Sequence, residues 1–277
     1  MLTTEDHSRD SAGMHYVYHV LSRRAGGVSV GINLNPNNAC NWACVYCQVP
    51  GLTRGGPPPL DLALLEGELT GFLHRAASAD FWGDGAPPDA RRIVDVAFSG
   101  NGEPTSAPEF GAALEVVARA LQARGLLDSV KIRLITNGSL VDRGGVRAAL
   151  RRLGELGGEV WFKADGATTA SMQRINGIRL KPDTVRRRLG ACSELVPTWV
   201  QTCVFAWDGA PPADADIDAY LALLTSVRDR VAGVLLYGLA RPSCQPRAAH
   251  LSRLPEVWLH ALGARIERLG LTVRVSP

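Results

Sequence analysis

A chain of 277 residues, 46% apolar and 21% charged, can bury a substantial core and is neither disordered nor fibrous. No apolar run reaches the roughly 20 residues that span a bilayer, and the polar start MLTTEDHSRD lacks the pattern of a secretory signal, so a cytoplasmic protein with no membrane partner is expected. The net charge of +3 does not by itself demand a nucleic-acid partner. Arginine runs at Arg23-Arg24, Arg91-Arg92, Arg151-Arg152 and Arg186 to Arg188 read first as solvated helix faces and second as a nucleic-acid patch.

In chain order, YVYHVLSRRAGG (16–27) reads as a strand and turn ahead of the first strand proper, VSVGINL (28–34). After a loop with punctuation at GGPPPLD (55–61), the spacing predicts a helix over 60–76. The loop GDGAPPDARR (83–92) leads to a strand at 92–98 and a helix at 108–125, with Gly125 as its stop signal. A strand at 130–136, a helix near 142–156 and a strand at 159–164 follow. Next come a helix near 182–194, with Asp183 as candidate cap, and a strand at 199–205. A helix near 214–230, a strand at 231–239, a helix near 255–269 and a final strand at 272–276 complete the chain. Short, nearly continuous Val- and Ile-rich runs fit strands buried on both faces. Six strand–helix alternations imply right-handed crossovers and a parallel sheet. A closed eight-fold barrel needs about 250 residues, and part of this chain is used before the first unit. The expectation is α/β: an open, partial (β/α)6 TIM-like barrel with an extra N-terminal strand and a C-terminal helix and strand. It forms one domain over 1–277, with an N-terminal extension to 27, a core over 28–240 and a C-terminal segment from 241. Working residues belong at the C-terminal strand ends.

Directly after the first core strand, NPNNACNWACVYCQVPG (35–51) carries Cys40, Cys44 and Cys47 as C-x3-C-x2-C. Three thiolates in one loop can hold three corners of a cubane, which is normally held by four. One iron then stays open to an exogenous ligand. A structural zinc site would want four ligands, usually in C-x2-C pairs, and a ferredoxin site a fourth cysteine with its own spacing. Of the remaining cysteines, Cys192 and Cys203 read as core residues and Cys244 as a loop cysteine near the pocket mouth.

This loop, with an aromatic Tyr46 before the last cysteine, resembles the signature of the radical S-adenosylmethionine (SAM) superfamily, and the resemblance extends over 28–240. It implies a 4Fe–4S cluster on the three cysteines and SAM bound to the open iron through its amino and carboxylate groups. It also implies reductive cleavage of SAM to a 5′-deoxyadenosyl radical, and an external donor such as flavodoxin. Tyr46 would pack near the adenine. FSGNGEPT (98–105) is similar to the family's GGEP segment, so Ser99, Gly100, Asn101, Gly102 and Glu103 would hold the methionine ammonium, with Asn101 where glycine is common. In LITNGSL (134–140), Thr136 and Asn137 would contact the SAM ribose or carboxylate; a plain Asn-Gly turn is the alternative. Gln201, facing the cavity from its strand with Cys203 on the same face, joins the cofactor-binding set.

In WFKADGA (161–167), Lys163 and Asp165 share a face by period-two alternation. A lysine inside an apolar strand requires a partner: either a carboxylate of SAM or substrate, or Asp165 itself in a structural pair. LLYGLARPSCQP (235–246) places Tyr237, Arg241 and Ser243 at the pocket mouth, and its ARP segment resembles wyosine-type tRNA-modifying iron–sulfur proteins. Arg241 could grip a carboxylate or phosphate with two donors. Lys163, Asp165, Tyr237 and Arg241 are therefore the candidate catalytic residues. The expected activity is hydrogen abstraction from a nucleoside or tRNA base or from a small metabolite. The ARP segment and the positive charge favour the base; the missing RNA-binding appendage favours the small molecule. A glycyl-radical-enzyme activase is the alternative enzyme. A non-catalytic iron–sulfur carrier or sensor, or a zinc-stabilised domain, is the alternative of another class.

Overall fold

The computed structural model describes residues 13–22, 27–78, 81 and 91–277. The leading MLTTEDHSRD segment, the Arg23-Arg24 pair and most of the 83–92 loop lie outside the described residues. The elements run β1 (Val17–Ser22), β2 (Gly27–Ile32), β3 (Ala39–Cys40), β4 (Thr53–Arg54), α1 (Leu62–Ala76), β5 (Ile93–Phe98), α2 (Phe110–Ala123) and β6 (Lys131–Thr136). They continue with α3 (Gly144–Glu155), β7 (Glu159–Lys163), α4 (Thr169–Asn176), α5 (Pro182–Ser193), β8 (Thr198–Cys203), β9 (Ala206–Trp207) and α6 (Asp214–Val227). The chain ends with β10 (Gly233–Tyr237), β11 (Leu251–Ser252), α7 (Glu256–Glu267) and β12 (Val273–Ser276).

Eight strands form one curled sheet in the order β1-β2-β5-β6-β7-β8-β10-β12. All neighbours are parallel except β1, which runs antiparallel to β2. This is the expected open partial barrel, with β1 as the extra N-terminal strand and α7–β12 as the C-terminal addition. Alternation sorts each strand. Val30, Ile32, Val96, Phe98, Leu134, Phe162 and Val200 point outward into the core under the helices. Ser29, Asp95, Arg133, Lys163 and Gln201 point inward and line a cavity. The helices supply the other half of the core. In α2, Phe110, Leu114, Val117 and Leu121 are buried along one stripe, each contributing about 1.5–3 kcal/mol of apolar burial. No helix among the described residues is long and apolar enough to cross a membrane.

Local signals mostly agree with the reading from sequence. Gly125 adopts φ +65° just past α2, as a stop requires. Asp183 is corrected: Lys181 occupies the cap of α5 without a side-chain bond, and Asp183 sits inside the first turn, paired with Arg186 at 3.2 Å. The strands expected over 199–205 and 231–239 stop at Cys203 and Tyr237. Their apolar patterns run on because Phe205 and Leu239 pack around Val45 and Tyr46 beneath the cysteine loop. Helix α4 is an addition to the predicted elements. Thr168 and Ser171 form a capping box at its start, and Gly177 closes it at φ +67°.

Candidate functional site

The cysteine loop crosses the open end of the curl. Its asparagines hold it internally: Asn35 Nδ2 donates to the Ala39 carbonyl (3.0 Å) and Asn38 Nδ2 to that of Pro50 (3.0 Å). Helix α4 props it from the side, since Ala43 N and Val45 N donate to the carbonyls of Asn176 (3.1 Å) and Ile175 (2.8 Å). Cys40, Cys44 and Cys47 are free thiols that line the cavity of about 570 Å³ inside the curl. Two of the sulfurs accept N–H donors: Cys40 from Trp42 N (3.4 Å) and Cys44 from Asn176 Nδ2 (3.3 Å). Burial pushes the unligated Cys40 thiol up to about 11 and that of Cys44 to about 12; metal binding is what draws such protons off.

This donor set fits a cubane better than a single ion. Among the described residues no three Cys, His, Asp or Glu side chains converge as a mononuclear site would need, whereas a cubane takes one thiolate at each of several irons. Backbone and amide N–H groups aimed at sulfur suit thiolates carrying cluster charge.

Ser99, Gly100, Asn101 and Gly102 follow β5 and line the cavity beside the cysteines. A Cβ on Gly102 would overlap the Ala39 carbonyl and the Asn35 amide, and one on Gly100 (φ +145°) would overlap Asn33. Glycine is what lets this turn press against the cysteine loop. Asn101, the departure from the family pattern, donates from Nδ2 to Asn38 Oδ1 (2.6 Å) and from its backbone N to Asn33 Oδ1 (3.0 Å). Ser99 Oγ pairs with Tyr18 Oη at 2.7 Å.

Glu103 is buried and its carboxylate is occupied. Oε1 accepts from Thr105 N, Thr105 Oγ1 and Thr136 Oγ1 (2.6 Å), and Oε2 from Asn137 N (2.7 Å). It ties the end of β5 to the end of β6. Thr136 is fully buried. Asn137 lines the cavity, with its Nδ2 donating to Asn41 Oδ1 (2.8 Å) on the cysteine loop. The turn after β6 thus braces the loop from a second side.

Lys163 and Asp165 do not meet. The strand ends at Lys163, so the alternation lapses and Asp165 turns behind Tyr46. There it accepts from Tyr46 Oη, Asn176 Nδ2 (2.8 Å) and Cys203 N (2.9 Å). Lys163 reaches into the cavity, with Nζ 3.4 Å from Tyr237 Oη and 4.8 Å from the centre of the Tyr46 ring. Burial alone would lower its pKa; the surrounding acids Tyr237 and Asp165 outweigh that and hold the ammonium above its ordinary range. Burial holds the Tyr46 phenol well up, and the Asp165 charge adds to it.

Gln201 faces the cavity, only 2% exposed, and its Oε1 has no hydrogen-bond partner among the described residues. Arg241 lines the mouth and donates to Gln48 Oε1 (3.3 Å). Ser243 is placed differently from expectation: it belongs to a strap over the cysteine loop. Its Oγ donates to the Val45 carbonyl (2.6 Å), while Cys244 N (2.9 Å) and Gln245 Nε2 (3.1 Å) donate to that of Cys47.

Three features carried no sequence signal. Trp42 lines the cavity within the cysteine loop. Asn176 arrives on the unforeseen α4. Near the N-terminal strand ends, Ser29, Asp95, Arg133 and Glu159 form a polar ladder across β2, β5, β6 and β7. Its Asp95 carboxyl is raised by burial against the pull of Arg133.

The Radical SAM superfamily model matches residues 34–224, about two thirds of the chain. Among solved structures, a radical SAM methyltransferase from Sphaerobacter thermophilus superposes with TM-score 0.59 at 16% identity, over 96% of this chain and 70% of that one. TYW1 with a lysine–pyruvate adduct bound gives 0.53 at 14% identity, over 88% and 74%. HydG, a maturase of the FeFe hydrogenase, gives 0.54 at 10% identity, over 87% of this chain and about half (48%) of its own. At these identities the likeness is one of fold. No curated protein sequence matches the chain. The matched span holds the cysteine loop, the glycine turn and the four parallel strands β5 to β8, and on that ground the chain belongs to the radical SAM superfamily, enzymes that use a 4Fe–4S cluster and SAM.

Proposed function

We propose that Cys40, Cys44 and Cys47 hold a 4Fe–4S cluster, that the turn Ser99 to Gly102 receives the methionine end of SAM beside it, and that hydrogen is abstracted from a small molecule enclosed in the curl. The observation that carries this reading is that all three thiols and the glycine turn line one cavity. When bound, the cluster supplies the electron that splits SAM into methionine and a 5′-deoxyadenosyl radical.

The residues of the chain supply placement. With Glu103 occupied, the turn offers SAM its backbone and the Ser99 and Asn101 side chains. Tyr46, anchored through its hydroxyl on Asp165, presents its ring as part of the wall. Trp42 adds a second aromatic surface against which an adenine can lie. Lys163 and Arg241 make the substrate end of the cavity cationic. The segment from 241 onward belongs to the same domain, because it contributes β12 to the sheet and the strap to the cysteine loop.

A small molecule is preferred over RNA because acids accompany the arginine runs at 151–152 and 186–188. Arg152 bonds Glu115 (2.8 Å), Arg186 bonds Asp183 (3.2 Å) and Arg188 bonds Asp142 (3.0 Å). Among the described residues these two faces present mixed charge. The electron would come from an external carrier of the flavodoxin kind, as the resemblance to the family implies.

The test is anaerobic. The chain is reconstituted with iron and sulfide, reduced and given SAM. The expected result is 5′-deoxyadenosine together with a SAM-dependent change in the cluster's EPR signal, both lost when the three cysteines are replaced by alanine. A cluster that forms and ignores SAM overturns the proposal. Retention on tRNA at physiological salt, where phosphate contacts dominate affinity, overturns the preference for a small molecule.

A further inference from the structure

The positive charge of the chain is unevenly spread. Three segments meet at the cysteine loop: the loop itself (36–59), α4 with its flanks (166–182) and the strap with its flanks (238–255). Together they hold seven Lys and Arg and no Asp or Glu, which leaves 23 bases against 27 acids in the rest of the chain. Contacts gather these cations into a collar around the loop. Arg54 donates to the Asn41 carbonyl and to that of Gly177 (3.0 Å), joining the loop to the end of α4. Arg174 on α4 and Arg247 on the strap lie 4.6 and 5.9 Å from the centre of one ring, that of Trp207. Arg253 donates to the Ala240 carbonyl, and Arg241 reaches Gln48 on the loop (3.3 Å). Arg54, Arg174, Arg179, Arg247 and Arg253 are exposed, and among the described residues none has a carboxylate within 4.0 Å. Of the adjoining acids, Asp208 is held by His250 (2.7 Å) and Asp216 accepts from Thr168 Oγ1 (3.3 Å). Like charges held on one face repel one another, and an acidic partner relieves that repulsion.

Within the collar, the surface makes bonding contact with a cluster ligand. The exposed Cys244 donates its backbone N–H to the Cys47 carbonyl (2.9 Å), and Gln245 Nε2 donates to the same oxygen (3.1 Å). Electrons pass between proteins most readily along covalent and hydrogen bonds, so the strap is a route from the surface to Cys47. We infer that this collar docks an acidic one-electron carrier protein over the strap. The inference rests on the reaction proposed above and assigns a face of this chain to the carrier which that reaction needs. One electron leaves the carrier's fully reduced flavin, which is left one-electron oxidised, and enters the cluster held by Cys40, Cys44 and Cys47; no bond forms or breaks. RNA fits the face less well. Single strands bind on open aromatic platforms, and the Trp207 ring, the aromatic between these arginines, already carries Arg174, Arg247 and a stacked His250 (5.9 Å, 15°).

The test uses the full chain with its cluster reconstituted anaerobically. Two reductants are compared: reduced flavodoxin, an acidic flavoprotein, and reduced methyl viologen, a small cation. Cluster reduction is followed by loss of visible absorbance without SAM, and binding of oxidised flavodoxin by calorimetry. Arg179 and Arg247 are exposed and lie outside the cavity. Arg179→Glu with Arg247→Glu should weaken flavodoxin binding, and slow reduction by flavodoxin, by about tenfold at low salt. Reduction by methyl viologen should not slow, and the paired Gln substitutions should give an intermediate loss. Raising ionic strength from about 0.05 to about 0.5 M should slow flavodoxin about tenfold on the wild-type chain and far less on the Glu variant. Equal slowing with both reductants makes the arginines part of the loop's architecture and overturns the inference. So does a wild-type chain that does not bind flavodoxin, or a flavodoxin rate indifferent to the substitutions and to salt. Retention on tRNA at physiological salt that the Glu substitutions abolish would give the collar to nucleic acid and overturn it too. If flavodoxin binds and reduces the cluster as expected but SAM is not cleaved, the radical reading falls and the docking face stands.

Discussion

Four donors converge on the Glu103 carboxylate from its own turn and from the end of β6. Removing it strands Thr136 Oγ1 and Asn137 N in the interior, where a lost bond to a charged acceptor costs about 1.5–3 kcal/mol. Glu103→Ala should therefore lower stability by about 2–4 kcal/mol in urea unfolding, and Glu103→Gln by less, since the amide oxygen still accepts. A side chain serving only the SAM ammonium would leave stability unchanged and reduce SAM affinity alone. The position of Glu103 was legible from its place after a strand. Its partner was not, because β6 lies 33 residues further along and no local pattern reports a contact between strand ends. Lys163 and Asp165 teach the same lesson. Spacing by two predicts a shared face only while the strand lasts, and β7 stops between them.

Elements were legible where burial imposes a period. The parallel strands, apolar on the outer face, stood out as short runs, and the long helices showed their stripes. Helix α4 escaped because TASMQRIN is eight residues with a single buried apolar side chain, Met172, too short for a period to emerge; its capping box and Gly177 were the available signals. The strap escaped because its hydrogen bonds come from a loop. Gln245→Ala should speed amide exchange over 44–49 and lower stability by about 1 kcal/mol, with the rest of the exchange map unchanged. Strand β1 makes a pH prediction. His19 packs on Phe72 (5.2 Å) and Phe81 (5.8 Å), and burial lowers its pKa from 6.5. The unfolded chain then takes the proton first, so stability is full above pH 6.5 and declines as pH falls through and below it. His19→Phe should flatten the thermal midpoint over that range; an equal decline in the variant would move the origin elsewhere.

At the scale of the whole molecule, the sheet separates two kinds of chemistry. Outward residues build the core, while inward ones form a chamber with cysteines at one end and the Ser29–Asp95–Arg133–Glu159 ladder at the other. The ladder was hidden in the sequence because each charged residue, taken alone, reads as an interruption of an apolar strand. Arg133 is the hub, bonded to both acids and lying 4.9 Å from the centre of the Trp161 ring. Arg133→Met should leave Asp95 and Glu159 facing each other uncompensated, at about 3–5 kcal/mol, measurable as a lowered denaturation midpoint.

The strap also orders events in the life of the chain. Gln245 and the Cys47 carbonyl are 198 residues apart in sequence. At roughly 5–20 residues per second, a ribosome releases the cysteines about 10–40 s before the residues that hold their loop in place. During that interval the thiols are outside the nascent tunnel with one of their braces still unmade. Iron delivered then would meet an unshaped loop, so cluster loading belongs after translation, to the finished chain.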